Sequence, residues 1–192
     1  MKHIKIPATK FEINPLILNR WSPRAFSQKA ISQGKIFSLF EAASWAASAM
    51  NEQPWRYVAV LKENEGEFQK LVDCLTPVNA VWAKNAALLL ISGVTMHYSS
   101  NQKPNASALH DLGLANQNLI LQAQSFDIYT HIMGGFDKDK AAGFFDADKN
   151  IVPVCMMALG YLGDPSSLDE TLQQRENSPR SRRELSEFLQ VL

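Results

Sequence analysis

At 192 residues, 46% hydrophobic and 20% charged, the chain has the composition of one soluble globular domain whose core needs no disulfide or metal staple. The 19 Lys and Arg balance the 19 Asp and Glu, so the formal net charge is +0. That balance argues against general affinity for nucleic acid or membrane, and it leaves room for a local basic site.

In chain order, the N-terminal "MKHIKIPATKFEINP" lacks the apolar stretch of a signal peptide, and the run "AALLLI" is too short to span a bilayer. A cytoplasmic protein is expected. The first predicted helix runs from Ser32, its N-cap, to Ser48, with Ile36, Phe37, Phe40, Ala43 and Ala47 on the apolar face. Pro54 cannot continue it. A strand is predicted over 56–61, and a short helix over 64–75 with Phe68, Leu71, Val72 and Leu75 on one side. "AALLLISG", 86–93, reads as a buried strand, and "SSNQKPN", 99–105, as a polar loop. A long, largely buried helix is predicted from Ala106 to Phe126, with Leu109, Leu112, Leu119, Ile120, Ala123 and Phe126 at helical spacing.

"IYTHI" reads as a strand ending in the Gly-Gly turn of "MGGFD", "KDKAAGFF" as a short helix, and "VPVCMMALGYLG" as another buried strand. The last thirty or so residues turn polar and basic. Periodicity suggests strands alternating with helices, the two longest helices flanking one sheet, in an α/β-type layered arrangement.

Several chemistries lack their motifs. There is no GxGxxG, P-loop or GxSxG, and the histidines (His3, His97, His110, His131) show no ligand spacing, so no metal site is expected. His131 reads as a satisfied polar residue. Cys74 and Cys155 form no CxxC pair, and Cys155 lies in an apolar run as an inert buried thiol.

Five polar clusters remain at element boundaries. "NRWSPRAF" holds Arg20, Ser22 and Arg24: two permanently charged forks and a hydroxyl that could grip an anion, or a solvated surface pair. "SAMNEQPW" offers Ser48, Asn51 and Gln53 to a planar heterocycle, or is a plain helix end. Asn79 lies three residues before Trp82. The glycines of "HIMGGFD" let a backbone approach a ligand closely, or make a simple turn. "SPRSRREL" is a second cationic cluster, or a solvated tail.

Together these clusters resemble the nitroreductase family of FMN-dependent oxidoreductases. "NRWSPRAF" is similar to its R-x-S-x-R-x-F, "AASAMNEQPWRYVAV" to its A-P-S-x-x-N-x-Q-P-W segment, and "NAVWAKNAALLL" to its N-x-x-W before an apolar strand. "HDLGLANQNLILQA", "IMGGFD", "VPVCMMALGYLG" and "RSRREL" follow in the family's order. The resemblance implies an α+β fold, with a mainly antiparallel central sheet flanked by helices, in an intertwined homodimer with FMN at the interface. It corrects the α/β reading on strand direction. One domain over 1–192 is expected, its core at 19–165 and a basic tail over 176–192 contributing to a phosphate site.

By the family pattern Arg20, Arg180 and Arg182 meet the FMN phosphate, Ser22 the flavin and ribityl chain, and Arg24 the N1–O2 edge of the ring. Trp21 counts among the cofactor-binding positions. Asn79 bonds the pyrimidine edge, while Ser48, Ala49, Asn51 and Gln53 come from the other subunit. Met133, Gly134 and Gly135 line the ring, with the Gly134 backbone near N5. No side chain is assigned as acid or base. NADH or NADPH reduces the flavin, and an acceptor such as a nitroaromatic or quinone is then reduced by a ping-pong mechanism.

Ala47 stands where the family often has proline, which loosens the expectation for that turn, and Glu184 stands where a proline is frequent, leaving open which of Arg180, Arg182 and Arg183 turn inward. The short chain leaves no room for a large lid, which implies an open pocket. The alternatives are a flavin-binding module for storage or sensing, and a specialised relative such as a dehalogenase or dehydrogenase.

Overall fold

A computed structural model describes residues 5–145 and 150–192; His3 lies outside them. Among the described residues the strands are β1 (Trp55–Leu61), β2 (Leu88–Thr95), β3 (Tyr129–Met133) and β4 (Ile151–Gly160). They form one sheet in the order β1-β2-β4-β3, and every neighbouring pair is antiparallel. The fold is therefore α+β, as the resemblance implies, and the strand direction read from periodicity is corrected. β2 and β4 are the central strands. Covered on both faces, they read as unbroken apolar runs instead of alternating ones. Leu88 opposes Leu159 and Leu90 opposes Met157 across their seam.

The helices are α1 (Pro15–Asn19), α2 (Gln33–Ser44), α3 (Glu65–Val72), α4 (Pro77–Ala83), α5 (Ala108–Ser125), α6 (Lys138–Ala142) and α7 (Glu170–Asn177). Along β2, Leu88, Leu90 and Val94 point to one core, and Leu89 and Ile91 to the other, as a period of two requires. The first core is closed by α2 and α5 through Leu39, Ala43, Leu112 and Leu119. The second is closed by α3, α4, α6 and α7 through Phe68, Leu71, Trp82, Ala141 and Leu172. The two longest helices thus share one face and pack on each other, where the sequence reading set them on either side of the sheet.

Three helices escaped the sequence reading. α4 starts with Pro77 at its first position, where a missing N–H costs nothing. α7 is capped by Asp169, whose carboxylate accepts from Leu172 N at 2.8 Å. α1 is capped by Asn14 in the same way. α2 also ends earlier than expected. Ser32 occupies its N-cap without a side-chain capping bond, and the helix stops at Ser44, before the expected Ser48. Its buried residues are Ile36, Leu39 and Ala43, and Phe37 is 63% exposed. Asn116 of α5 ties the first core together, accepting from Tyr57 OH and Ser92 Oγ at 2.9 Å each and donating to Cys155 Sγ. Burial pushes the Cys155 thiol up to about 11, which keeps it protonated and inert.

Candidate cofactor site

Residues 20–26 run beside β3 and past the end of β4. Ala25 and Ser27 bond to Gly163 and Tyr161, so the segment is anchored like an extra short strand. His131 of β3 holds it from below, its Nδ1–H donating to Pro23 O at 2.9 Å. The carbonyl can only accept, which dictates that tautomer. Burial pushes the imidazole down to about 4, against the hydrogen bond to Pro23, and the nearby Arg24 and Arg20 charges act with burial. His131 is thus neutral and occupied, as its position in the sequence suggested. Its ring centre lies 4.4 Å from that of Trp82, and the Arg24 guanidinium lies over the same Trp82 ring at 6.0 Å from its centre.

Trp82 and Asn79 sit one turn apart on α4, so the helix that carries Arg24's aromatic neighbour also carries Asn79. Asn79 Nδ2 donates to Gly135 O at 3.1 Å, and Thr76 contributes its N–H at 3.1 Å and its hydroxyl at 3.2 Å to the same carbonyl. A Cβ on Gly135 would meet Asn79 Nδ2 and Thr76 Oγ1 at 3.0 Å, crowding the two groups that hold the Gly135 carbonyl. A Cβ on Gly134 would meet nothing within 4 Å. The backbone there faces open space beside Asn79. Met133 is buried in the second core, which leaves its backbone to serve a ligand.

Arg20 Nη1 donates to Ser22 Oγ at 3.3 Å. Burial lowers the Arg20 pKa first, and the charges of Arg180 and Arg182 lower it further. Arg180 is lowered by burial and by Arg182 in turn. Among the described residues no carboxylate lies within salt-bridge distance of any of the three. They border a cavity of about 390 Å³, with Lys10 and Arg183 on its rim and Phe11, Ile13, Ile17 and Leu18 as its apolar lining. Arg180 Nη1 is spent on Leu18 O and Lys5 O, so this arginine also ties the tail to the N-terminal segment. Glu184 also lines this cavity, but its carboxylate is paired with Lys10, so the three arginines keep their charge for an anion.

Trp21 lies beside this site with its side chain turned into the protein. The residue is 5% exposed, and its ring meets Tyr129 edge-on and lies under Lys5.

Ser48, Ala49, Asn51 and Gln53 lie elsewhere, in the loop that enters β1. The sheet order places β1 on the edge opposite β3, three strand spacings or about 14 Å away. One chain does not bring these residues to the arginine side. The loop is strained: Met50, Asn51 and Gln53 have φ of 55°, 56° and 52°. Such non-glycine residues cost about 1–3 kcal/mol each and cluster at functional sites. Asp111 of α5, 2% exposed, pins the loop by accepting from Ala49 N at 2.9 Å, and Ser48 Oγ accepts from Gln53 N at 3.1 Å. The Ala49 N–H taken by Asp111 is the one that would have gone to Trp45 O had α2 run on to residue 48.

Asp111, Thr76 and Glu176 support the site and were not singled out from sequence. Asp111 alone left a trace there, as an acid among the apolar residues of "LHDLGL".

The sequence matches the nitroreductase family over residues 17–161. The chain belongs to the nitroreductase family. A solved structure described as an oxidoreductase containing FMN is 33% identical, with a TM-score of 0.90 over 98% of this chain and 96% of that one. The nitroreductase family protein of Streptococcus pneumoniae TIGR4, 18% identical over 92% of this chain and 98% of its own, shares the fold with a TM-score of 0.72. In Bacillus subtilis (strain 168), the protein named "Putative NAD(P)H nitroreductase YdgI" is 29% identical over 168 residues, 70% of this chain and 80% of its own.

Proposed function

We propose that this chain is an FMN-dependent NAD(P)H oxidoreductase that reduces nitroaromatic, quinone or related acceptors by a ping-pong mechanism. The observation that carries the reading is the cluster of Arg20, Arg180 and Arg182, none of them paired to a carboxylate among the described residues, together with Asn79 and the open Gly134 backbone. A phosphate monoester brings about −1.5 to −2 charges at neutral pH, which matches three uncompensated arginines. Asn79 spends its amide nitrogen on Gly135 and keeps Oδ1 to accept from a ring N–H. The residues present therefore fit FMN. The relatives containing FMN or named for NAD(P)H support the same assignment.

Arg20 and Arg182 hold the phosphate, with Arg180 behind them. Ser22 bonds toward the ribityl chain, and Arg24 faces the N1–O2 edge, where reduction places negative charge. Asn79 fixes the pyrimidine edge, and the Gly134 N–H points to N5. FMN supplies the hydride and electron chemistry; the chain supplies orientation and a cationic field. Open space at Gly134 admits a nicotinamide and then an acceptor in turn. Ser48, Ala49, Asn51 and Gln53 complete the site from a second copy.

The deciding experiment is the absorbance spectrum of purified protein with added FMN, followed by NADH and then NADPH without oxygen. Flavin bands that bleach on reductant are expected. Arg20→Ala should weaken FMN binding ten- to hundredfold, the loss of one charge-assisted contact worth about 1.5–3 kcal/mol. A protein that stays colourless with FMN overturns the reading, and bound FMN that neither nucleotide bleaches reduces it to a flavin-binding module.

A further inference from the structure

Glu176 is 1% exposed, a degree of burial that glutamate almost never shows unless its charge is matched. It lies in the last turn of α7, where a carboxylate opposes the helix dipole and does nothing for the helix. Its oxygens turn instead to the segment that carries the two arginines. Oε1 and Oε2 each accept from Arg24 N at 3.0 Å, and Oε1 also accepts from Ala25 N at 3.1 Å. α7 is a firm base for this grip: Asp169 caps it, Leu172 is buried in the second core, and Gln173 Nε2 donates to Leu168 O at 2.6 Å. The Arg24 and Lys5 charges are both within electrostatic reach of the carboxylate.

We infer that Glu176 is the positioning residue for Arg24: its buried carboxylate clamps the Arg24–Ala25 backbone and sets how much positive charge Arg24 presents to a ligand. The second half rests on the FMN reading above. A unit negative charge beneath Arg24 partly cancels the field that favours reduced flavin, so Glu176 holds the bound flavin at a lower potential than the arginine alone would.

Two variants separate clamp from charge. Glu176→Gln keeps the length and an acceptor oxygen and removes the charge. Glu176→Asp keeps the charge and shortens the reach. Amide hydrogen exchange at Arg24 and Ala25 reads the clamp without any cofactor, and the midpoint potential of bound FMN reads the charge. Exchange at both amides is expected to quicken at least tenfold in Glu176→Asp. In Glu176→Gln the preference for reduced over oxidised FMN should rise about tenfold, a positive shift of about 30 mV for the two-electron couple. Unchanged exchange in the Asp variant overturns the clamp, and an unchanged potential in the Gln variant overturns the electrostatic role. A wild-type protein that takes up no FMN defeats the proposed function, and the exchange measurement still decides the clamp.

Discussion

Two kinds of residue build the arginine side, and they differ in how far sequence reveals them. Arg20, Arg24 and Asn79 carry chemistry that few other side chains can supply, so their type and spacing survive as a motif. Glu176 and His131 act by gripping backbone, and a grip on Arg24 N or Pro23 O leaves no pattern in the gripping residue's own neighbourhood. "QQREN" reads as part of a polar tail until the fold turns Glu176 inward. His131 makes a pH prediction at this scale. Folding depresses its pKa from 6.5 to about 4, mainly by burial, so between those values the unfolded chain binds a proton that the folded chain does not. Its contribution is full above pH 6.5 and is lost as pH falls through 4. Allowing for partial exposure, that contribution is about 2–3 kcal/mol. Denaturant unfolding of wild type and of His131→Gln at a series of pH values should show a shallower decline in the variant between those limits. Parallel declines would place the acid sensitivity in other groups.

Elements were legible where apolar periodicity was strong and illegible where tertiary bonds overrode it. The central strands and α5 stand close to their expected ranges. α2 fails to reach Ser48 although Ala46 and Ala47 are good helix formers: Asp111 takes the Ala49 N–H that a longer helix would donate to Trp45 O. α4 and α7 are too short for periodicity to reveal and are set by their first residues, Pro77 and the Asp169 cap. The turn between β3 and α6 tests how an element is fitted to the site. Gly135→Ala forces a methyl to 3.0 Å from Asn79 Nδ2 and Thr76 Oγ1, disturbing the bonds to its carbonyl. It should destabilise the protein by about 1–2 kcal/mol in denaturant titrations. Gly134→Ala has room for its methyl and should stay within about 0.5 kcal/mol of wild type. That methyl stands on the open face, so FMN affinity should fall in Gly134→Ala without loss of stability. Equal FMN affinity in that variant would place the flavin away from this backbone.

At the scale of the whole molecule, the proposed function needs a second copy to bring the loop at the β1 edge to the arginines beside β3, because one chain sets them at opposite edges of the sheet. The surface points the same way. Phe37 is 63% exposed and Trp45 80% exposed, both on α2 or its end, while Met50 in the strained loop is 88% exposed and Leu109 of α5 is 52% exposed. All four lie on or next to the α2–α5 layer; other large apolar residues are exposed in the N-terminal segment and the tail, Phe11 and Phe188 among them, and exposed apolar groups gathered on one layer mark a candidate association surface. Burying Phe37 and Trp45 would contribute about 1.5–3 kcal/mol each. Neither residue belongs to the proposed FMN contacts or to a buried core, so replacing them tests association more than folding. Sedimentation equilibrium should give twice the mass of one chain for wild type, and a single-chain mass for Phe37→Glu combined with Trp45→Glu. The double variant should keep its circular dichroism spectrum and lose FMN affinity, because each site then lacks the partner's Ser48–Gln53 loop. A monomeric variant that binds FMN as tightly as wild type would mean that the arginine side suffices alone and that the strained loop serves another purpose.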